Sequence, residues 1–153
     1  MAARAGIGYD SHRLVEGESL ILGGVEIDHE RGLEGHSDAD VLTHAVIDAL
    51  LGACGLGDLG ELFPPGEERW RDADSIDMLR VVVGRLPGPA VNVDATVICE
   101  EPKLARHRAE MEARLAGVLS APVSVKATSN ERMGAIGRGE GIACVAVALV
   151  DVG

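Results

Sequence analysis

Residues 37–50 read SDADVLTHAVIDAL. The Ser37 hydroxyl suits a helix cap, and Asp38 and Asp40 suit a first turn, where unpaired N–H groups favour negative charge. Val41, Leu42, Ala45, Val46, Ala49 and Leu50 then recur at helical spacing. This pattern predicts a helix beginning at Ser37 and ended by Gly52 and Gly55. His44 sits inside the apolar run, where a lone histidine is ordinarily a core residue. Asp40 and Asp48 lie four residues before and after it on the same helix face. Carboxylates so placed are expected to fix the ring tautomer and aim the imidazole at a metal ion.

Outward from this helix, the remaining elements alternate in type. Gly6–Tyr9 reads as a short strand, Leu20–Leu22 and Val25–Ile27 as a hairpin around Gly23-Gly24, and 28–36 as a polar loop. One turn is expected over 58–63, stopped by Pro64-Pro65, followed by a charged, irregular stretch over 66–71. Helices are expected over 74–86 and 103–119, and strands over 91–99, 123–127 and 142–150. The last strand is apolar enough to be buried on both faces. The absence of linkers and repeats points to one mixed α+β domain over residues 1–153.

Composition narrows the class. The chain has 153 residues with 46% hydrophobic but 2% aromatic content, so Ala, Val, Leu and Ile must build the core. A net charge of -11 disfavours nucleic acid, whose phosphates need a basic face. Cys54, Cys99 and Cys144 are odd in number and lack C-x-x-C spacing, which argues for a reducing compartment. Neither a signal peptide nor an apolar run of the roughly 20 residues a membrane helix needs is evident, so the expected location is the cytoplasm, with no membrane contact.

Asp10 and His12 are two apart, so a strand presents both on one face. With His44 they form two imidazoles and one carboxylate, a set that leaves one tetrahedral zinc position open, as catalytic sites do. His36 and Ser37, just before a helix, suit a phosphate. Lys126-Ala127-Thr128-Ser129-Asn130-Glu131 closes a strand with hydroxyls and one carboxylate fit for a hard cation. Gly137-Arg138-Gly139-Glu140-Gly141 is not a P-loop; on its own it reads as a turn with an exposed ion pair. These residues leave three readings open: phosphoryl transfer, zinc-dependent phosphate hydrolysis, and a metal-stabilised interaction module.

Five segments, in order, carry a resemblance: GIGYDSHRL, LILGGVEI, GLEGHSDADVLTHAVIDALLGACGLGDLGELFP, EEPKL and VSVKATSNERMGAIGRGEGIA. Together they resemble the 2-C-methyl-D-erythritol 2,4-cyclodiphosphate synthases of the non-mevalonate isoprenoid pathway. The resemblance implies conversion of 4-diphosphocytidyl-2-C-methyl-D-erythritol 2-phosphate to the cyclic diphosphate with release of CMP. It implies zinc on Asp10, His12 and His44, and magnesium or manganese on Glu131 with substrate phosphates. His36 and Ser129 would stabilise developing charge, and Ser37 would hold a phosphate. Asp58 and the backbone at Leu59 and Gly60 would contact the erythritol hydroxyls, and Phe63 would also touch the substrate. Cys99, Glu100, Glu101, Pro102, Lys103, Leu104, Ala105 and Thr128 would receive the cytidine diphosphate, with Asn130, Ala135 and Arg138 completing the substrate contacts. Arg138 and Glu140 resemble a pair lining the central cavity of a homotrimer. The implied subunit is a four-stranded mixed sheet with helices on one face and a small N-terminal hairpin, and active sites lie between subunits. Pro65-Gly66-Glu67 departs from the Asp-Thr-Asp usual after Phe-Pro in the family, Ser129 stands where threonine is common, and Ala135 replaces a bulkier residue.

Overall fold

The computed structural model describes residues 2–153. Along the chain run β1 (Ala3–Glu16), β2 (Leu20–Leu22), β3 (Val25–Ile27), β4 (Arg31–Leu33), α1 (Val41–Cys54), α2 (Leu59–Leu62), α3 (Ser75–Val83), β5 (Ala90–Ile98), α4 (Arg108–Leu119), β6 (Val123–Thr128), α5 (Gly134–Gly137) and β7 (Gly141–Asp151). The main sheet has the order β4-β1-β7-β5-β6, and β2-β3 form a separate hairpin. Only the β5–β6 pair is parallel; its connection carries α4, as a parallel crossover requires.

The sheet therefore has five strands rather than the expected four. β1 is 14 residues long, and β7 pairs with it only as far as Arg13. Beyond that point Leu14–Glu16 pairs with Arg31–Leu33, which lies on the other side of β1 from β7. This fifth strand lies in the segment read as a loop, because its glycine masked it. Gly32 permits a close approach: a Cβ there would lie 2.2 Å from the Glu18 carbonyl oxygen.

Helix α1 lies across β1 and β7 at unusually short range. Cβ atoms on Gly6 or Gly8 would fall 1.9 Å from the carbonyl oxygens of Ala49 and Ala45. The even-numbered residues of β1 thus face α1, and Ala45, Ala49, Ala146 and Ala148 fill the seam without exposure. The opposite face is uncovered in the single chain: Ile7, Tyr9 and Val147 are 70%, 59% and 46% exposed. The last strand is consequently not buried on both faces, contrary to expectation.

The first helix starts later than its sequence suggests. Asp40, not Ser37, caps it, and Asp40 is fully buried. Its carboxylate accepts from Thr43 N at 2.9 Å, Thr43 Oγ1 at 2.8 Å, Gly23 N at 2.9 Å and Gly24 N at 2.8 Å. One side chain therefore both starts α1 and clamps the β2–β3 turn, whose two glycines have φ of 59° and 72°. Asp40→Ala is expected to lower stability by about 3 kcal/mol or more, since several buried donors lose their acceptor. Urea unfolding would measure it, and a loss under about 1 kcal/mol would contradict this account.

The other helices are shorter than expected. Asp74 caps α3 through Ile76 N, and Gly84 follows its last residue. The stretch read as helix from 103 opens with a 3-10 turn over Ala105–His107 before α4 begins. Residues 66–71 contain one 3-10 turn, Glu68–Trp70. None of the helices is long and apolar enough to cross a membrane among the described residues.

Candidate metal centre and substrate cavity

Asp10 and His12 point from β1 toward α1, and His44 points back from α1. Asp10 Oδ2 lies 3.0 Å from His12 Nε2 and 3.0 Å from His44 Nδ1. One ligand atom from each residue falls within 4.8 Å of the others, making this a potential metal site. The two imidazole rings meet edge to face, with centroids 5.6 Å apart. Ligands around a tetrahedral zinc are separated by about 3.4 Å, so the three atoms need little movement to share an ion. The contact from His12 to Asp10 is short but poorly directed. His12 Nε2 consequently remains buried without a hydrogen-bond partner. An orphaned ring nitrogen beside a carboxylate is suited to metal ligation, and the donor set fits a divalent cation.

The protonation tendencies agree. Burial alone would raise the Asp10 carboxyl, but the close His12 ring, the His44 hydrogen bond and the charges of both rings outweigh it and hold it at about 2. For His44, burial favours the neutral ring, yet the Asp10 hydrogen bond and nearby carboxylates win and raise its pKa. A cation must therefore displace a proton that His44 holds more tightly than usual. In metal-free protein the His44 contribution to stability is fully present below about pH 6.5 and is lost as pH rises through the raised value. Metal binding should run the opposite way, strengthening by up to about tenfold per pH unit until His44 is deprotonated. Zinc titrations against a chelator between pH 6 and 9 would test this, and a pH-independent affinity would contradict it.

The carboxylates expected to orient His44 do otherwise. Asp40 is consumed by the cap and hairpin turn, and Asp48 accepts from Leu59 N at 2.7 Å, tying α1 to α2. The His44 ring instead meets hydroxyls at Nε2: Ser75 Oγ at 2.8 Å and Ser37 Oγ at 3.2 Å. Ser75, 31 residues downstream on α3, carries no spacing signal relative to His44. Asp38, which holds Ser75, was legible only as a first-turn acid.

The triad lines a cavity of about 290 Å³ together with His36, Ser37, Leu59, Phe63, Pro65, Trp70 and Met78. His36 Nε2 lies 3.1 Å from the Glu67 carbonyl oxygen. Phe63 and Trp70 pack edge to face at 4.6 Å, and the Arg69 guanidinium sits 4.5 Å from the Trp70 ring. The irregular loop thus supplies an aromatic wall that its charged sequence concealed. A single tryptophan in a chain with so few aromatics was the available signal.

The other candidate residues lie elsewhere in the single chain. Asp58 caps α2 through Glu61 N, and neither it nor Gly60 lines the cavity. Glu100, Glu101, Lys103 and Arg138 line a second, polar cavity of about 590 Å³ with Arg31 and Arg132. Leu104 and Ala105 border a third beside Lys126. Cys99 N–H donates to the Thr128 carbonyl at 3.0 Å, and Asn130 N–H to Glu100 at 2.6 Å, which knits residues 99–100 to the loop after β6. Burial pushes the Cys99 thiol up to about 11, which disfavours the nucleophilic thiolate. Ser129 Oγ sits 3.4 Å from Glu131 Oε1, and Glu131 has φ 52°. Glu131 does not join the triad. Arg138 pairs with Glu140 at 2.6 Å on the surface.

Comparison with known proteins accords with this arrangement. A family model described as the YgbB family matches residues 3–151. The 2-C-methyl-D-erythritol 2,4-cyclodiphosphate synthase of Symbiobacterium thermophilum is 56% identical over 151 residues, covering 95% of this chain and 96% of that protein. The synthase of the same name from Salinibacter ruber is 56% identical over 154 residues, covering 97% and 98%. Among solved structures, the CDP complex of IspF from Plasmodium falciparum superposes with a TM-score of 0.83 at 33% identity, covering 97% of this chain and 96% of that one. With the match running from the first strand to the last, the chain belongs to the YgbB family, that of the 2-C-methyl-D-erythritol 2,4-cyclodiphosphate synthases.

Proposed function

We propose that this chain converts 4-diphosphocytidyl-2-C-methyl-D-erythritol 2-phosphate to 2-C-methyl-D-erythritol 2,4-cyclodiphosphate, releasing CMP. The observation that carries the reading is the convergence of Asp10, His12 and His44 in the wall of one half-open cavity. Two imidazoles and a carboxylate favour zinc over harder ions. A cation held there supplies Lewis acidity to a phosphate oxygen. The remaining work belongs to the chain. An oxygen of the substrate 2-phosphate attacks the β-phosphorus, and the bond to the CMP phosphate breaks. No side-chain nucleophile is needed, so catalysis rests on alignment and charge neutralisation.

In this reading His36 and Ser129 steady the charge that develops on the transferred phosphoryl group. Ser37 holds a phosphate, Asp58 and the backbone at Leu59 and Gly60 position the erythritol moiety, and Phe63 contributes to the substrate-binding wall. Cys99, Glu100, Glu101, Pro102, Lys103, Leu104, Ala105 and Thr128 take the cytidine diphosphate, with Asn130, Ala135 and Arg138 beside them. Glu131 would hold a magnesium or manganese ion, which would supply charge neutralisation to the phosphates. A homotrimer is supported by two features: candidate residues divided between separate cavities of one chain, and the exposed apolar face at Ile7, Tyr9 and Val147. Arg138 and Glu140 would then line the central cavity, and residues 1–153 act as one synthase domain. Three free cysteines support a cytoplasmic setting.

Phosphorus NMR of the reaction tests the proposal. Cyclisation yields two mutually coupled phosphorus signals with one equivalent of CMP. Open-chain phosphates would show that water is the nucleophile and would overturn it.

A further inference from the structure

We propose that Ser75 and Asp38 are positioning residues for the metal site: their hydroxyl–carboxylate relay locks His44 with its proton on Nε2, leaving the Nδ1 lone pair for the cation. The inference rests on the metal-binding reading of Asp10, His12 and His44, and extends it to residues outside that set.

Geometry dictates the direction of the relay. An ionised carboxylate only accepts hydrogen bonds. Asp38 accepts from Ser75 N at 2.9 Å and from Asp40 N at 3.2 Å, and a short contact joins its Oδ1 to Ser75 Oγ. The single hydroxyl proton of Ser75 is therefore directed at Asp38. What Ser75 Oγ offers His44 Nε2, at 2.8 Å, is a lone pair. A ring nitrogen facing a lone pair must carry the proton. The opposite nitrogen, Nδ1, is the one 3.0 Å from Asp10 Oδ2 and turned into the three-residue cluster. Without the relay, the neutral ring is free to adopt the other tautomer. Its proton would then bond to Asp10 and occupy the lone pair that ligation requires.

Folding alone does not explain Ser75. It is fully buried, yet α3 is capped by the Asp74 side chain, which accepts from Ile76 N at 2.8 Å. The hydroxyl is thus dispensable to the helix, and alanine there is a good helix former. Ser37 Oγ, 3.2 Å from the same nitrogen, is more distant and lies on the cavity wall. A ligand phosphate would compete for it, and Ser75 would remain.

The test uses Ser75→Ala, Asp38→Asn and the double variant in the full chain. Zinc affinity is measured by chelator competition, and exchange of the His44 Nε2 proton by NMR of the zinc-loaded, 15N-histidine-labelled protein. Ser75→Ala should weaken zinc by about 10- to 100-fold and speed that exchange, while the melting of metal-free protein changes little. Asp38→Asn should also weaken zinc, and the double variant should lose no more than the larger single loss, since both act through one hydroxyl. Zinc affinity within about twofold of wild type in Ser75→Ala, with unchanged proton exchange, would overturn the relay. Strictly additive losses would overturn the shared path. Failure of wild type to hold zinc would instead overturn the metal reading on which the relay stands.

Discussion

His44→Ala is expected to abolish both stoichiometric zinc binding and turnover while leaving a folded protein. Three ligands become two, from one strand of one sheet. Loss of a ligand should exceed the roughly 10- to 100-fold cost of losing an outer contact. The fold should survive because α1 is held by Val41, Leu42, Ala45, Val46, Ala49 and Leu50, all without exposure, and alanine favours the helix. Loss of the imidazole leaves Asp10 and Ser75 short of one hydrogen-bond partner, a cost of about 1–3 kcal/mol that this core can carry. Elemental analysis of the purified variant, beside its circular dichroism, gives the answer. Zinc retained at one equivalent would remove His44 from the centre.

Gly8→Ala should damage stability and site together. A Cβ on Gly8 would lie 1.9 Å from the Ala45 carbonyl oxygen and 2.7 Å from Ala49 N. Both are backbone atoms of α1 and cannot rotate aside, so the helix must retreat by about 1 Å from the sheet in a close-packed interior. The cost should be about 3 kcal/mol or more, a fall of roughly 10 °C in Tm. His44 adjoins Ala45, so the same retreat draws its ring away from Asp10 and His12. Displacements of this size are enough to spoil a ligand set. Gly52→Ala on the same helix is the control: its nearest neighbour would be the Ile7 carbonyl at 3.8 Å, so it should be neutral or stabilising by up to about 1 kcal/mol. Equal melting of the two variants would refute the close approach.

These results depend on features differently visible in the chain. The hairpin at Gly23-Gly24 was legible because two adjacent glycines between apolar triplets admit few other turns. The later strands were legible from their valine-rich runs, within a residue or two. The fifth strand was not, because Arg31–Leu33 has no β signature and pairs only where β1 outruns β7. Asp40 was misread as a partner of His44. Four-residue spacing reports a shared helix face, but at a helix start the carboxylate turns inward to unpaired N–H groups. Trp70 in the cavity wall escaped notice because loop conformation is set by what it packs on, not by periodicity.

What the sequence determined by itself was the ligand chemistry. Asp10 and His12 share a face because a strand repeats every two residues, and His44 lies on a helix buried by its neighbours, whatever else surrounds them. Their meeting required tertiary structure: Gly6 and Gly8 let α1 sink onto β1, and only that approach brings the helix histidine within reach of the strand carboxylate. The hydroxyl beside His44 was also a tertiary decision, since Ser75 arrives from α3 across 31 residues. Local periodicity sets which way a side chain points from its own element. Which atoms it meets depends on how elements pack, and that is settled by the fit of whole surfaces.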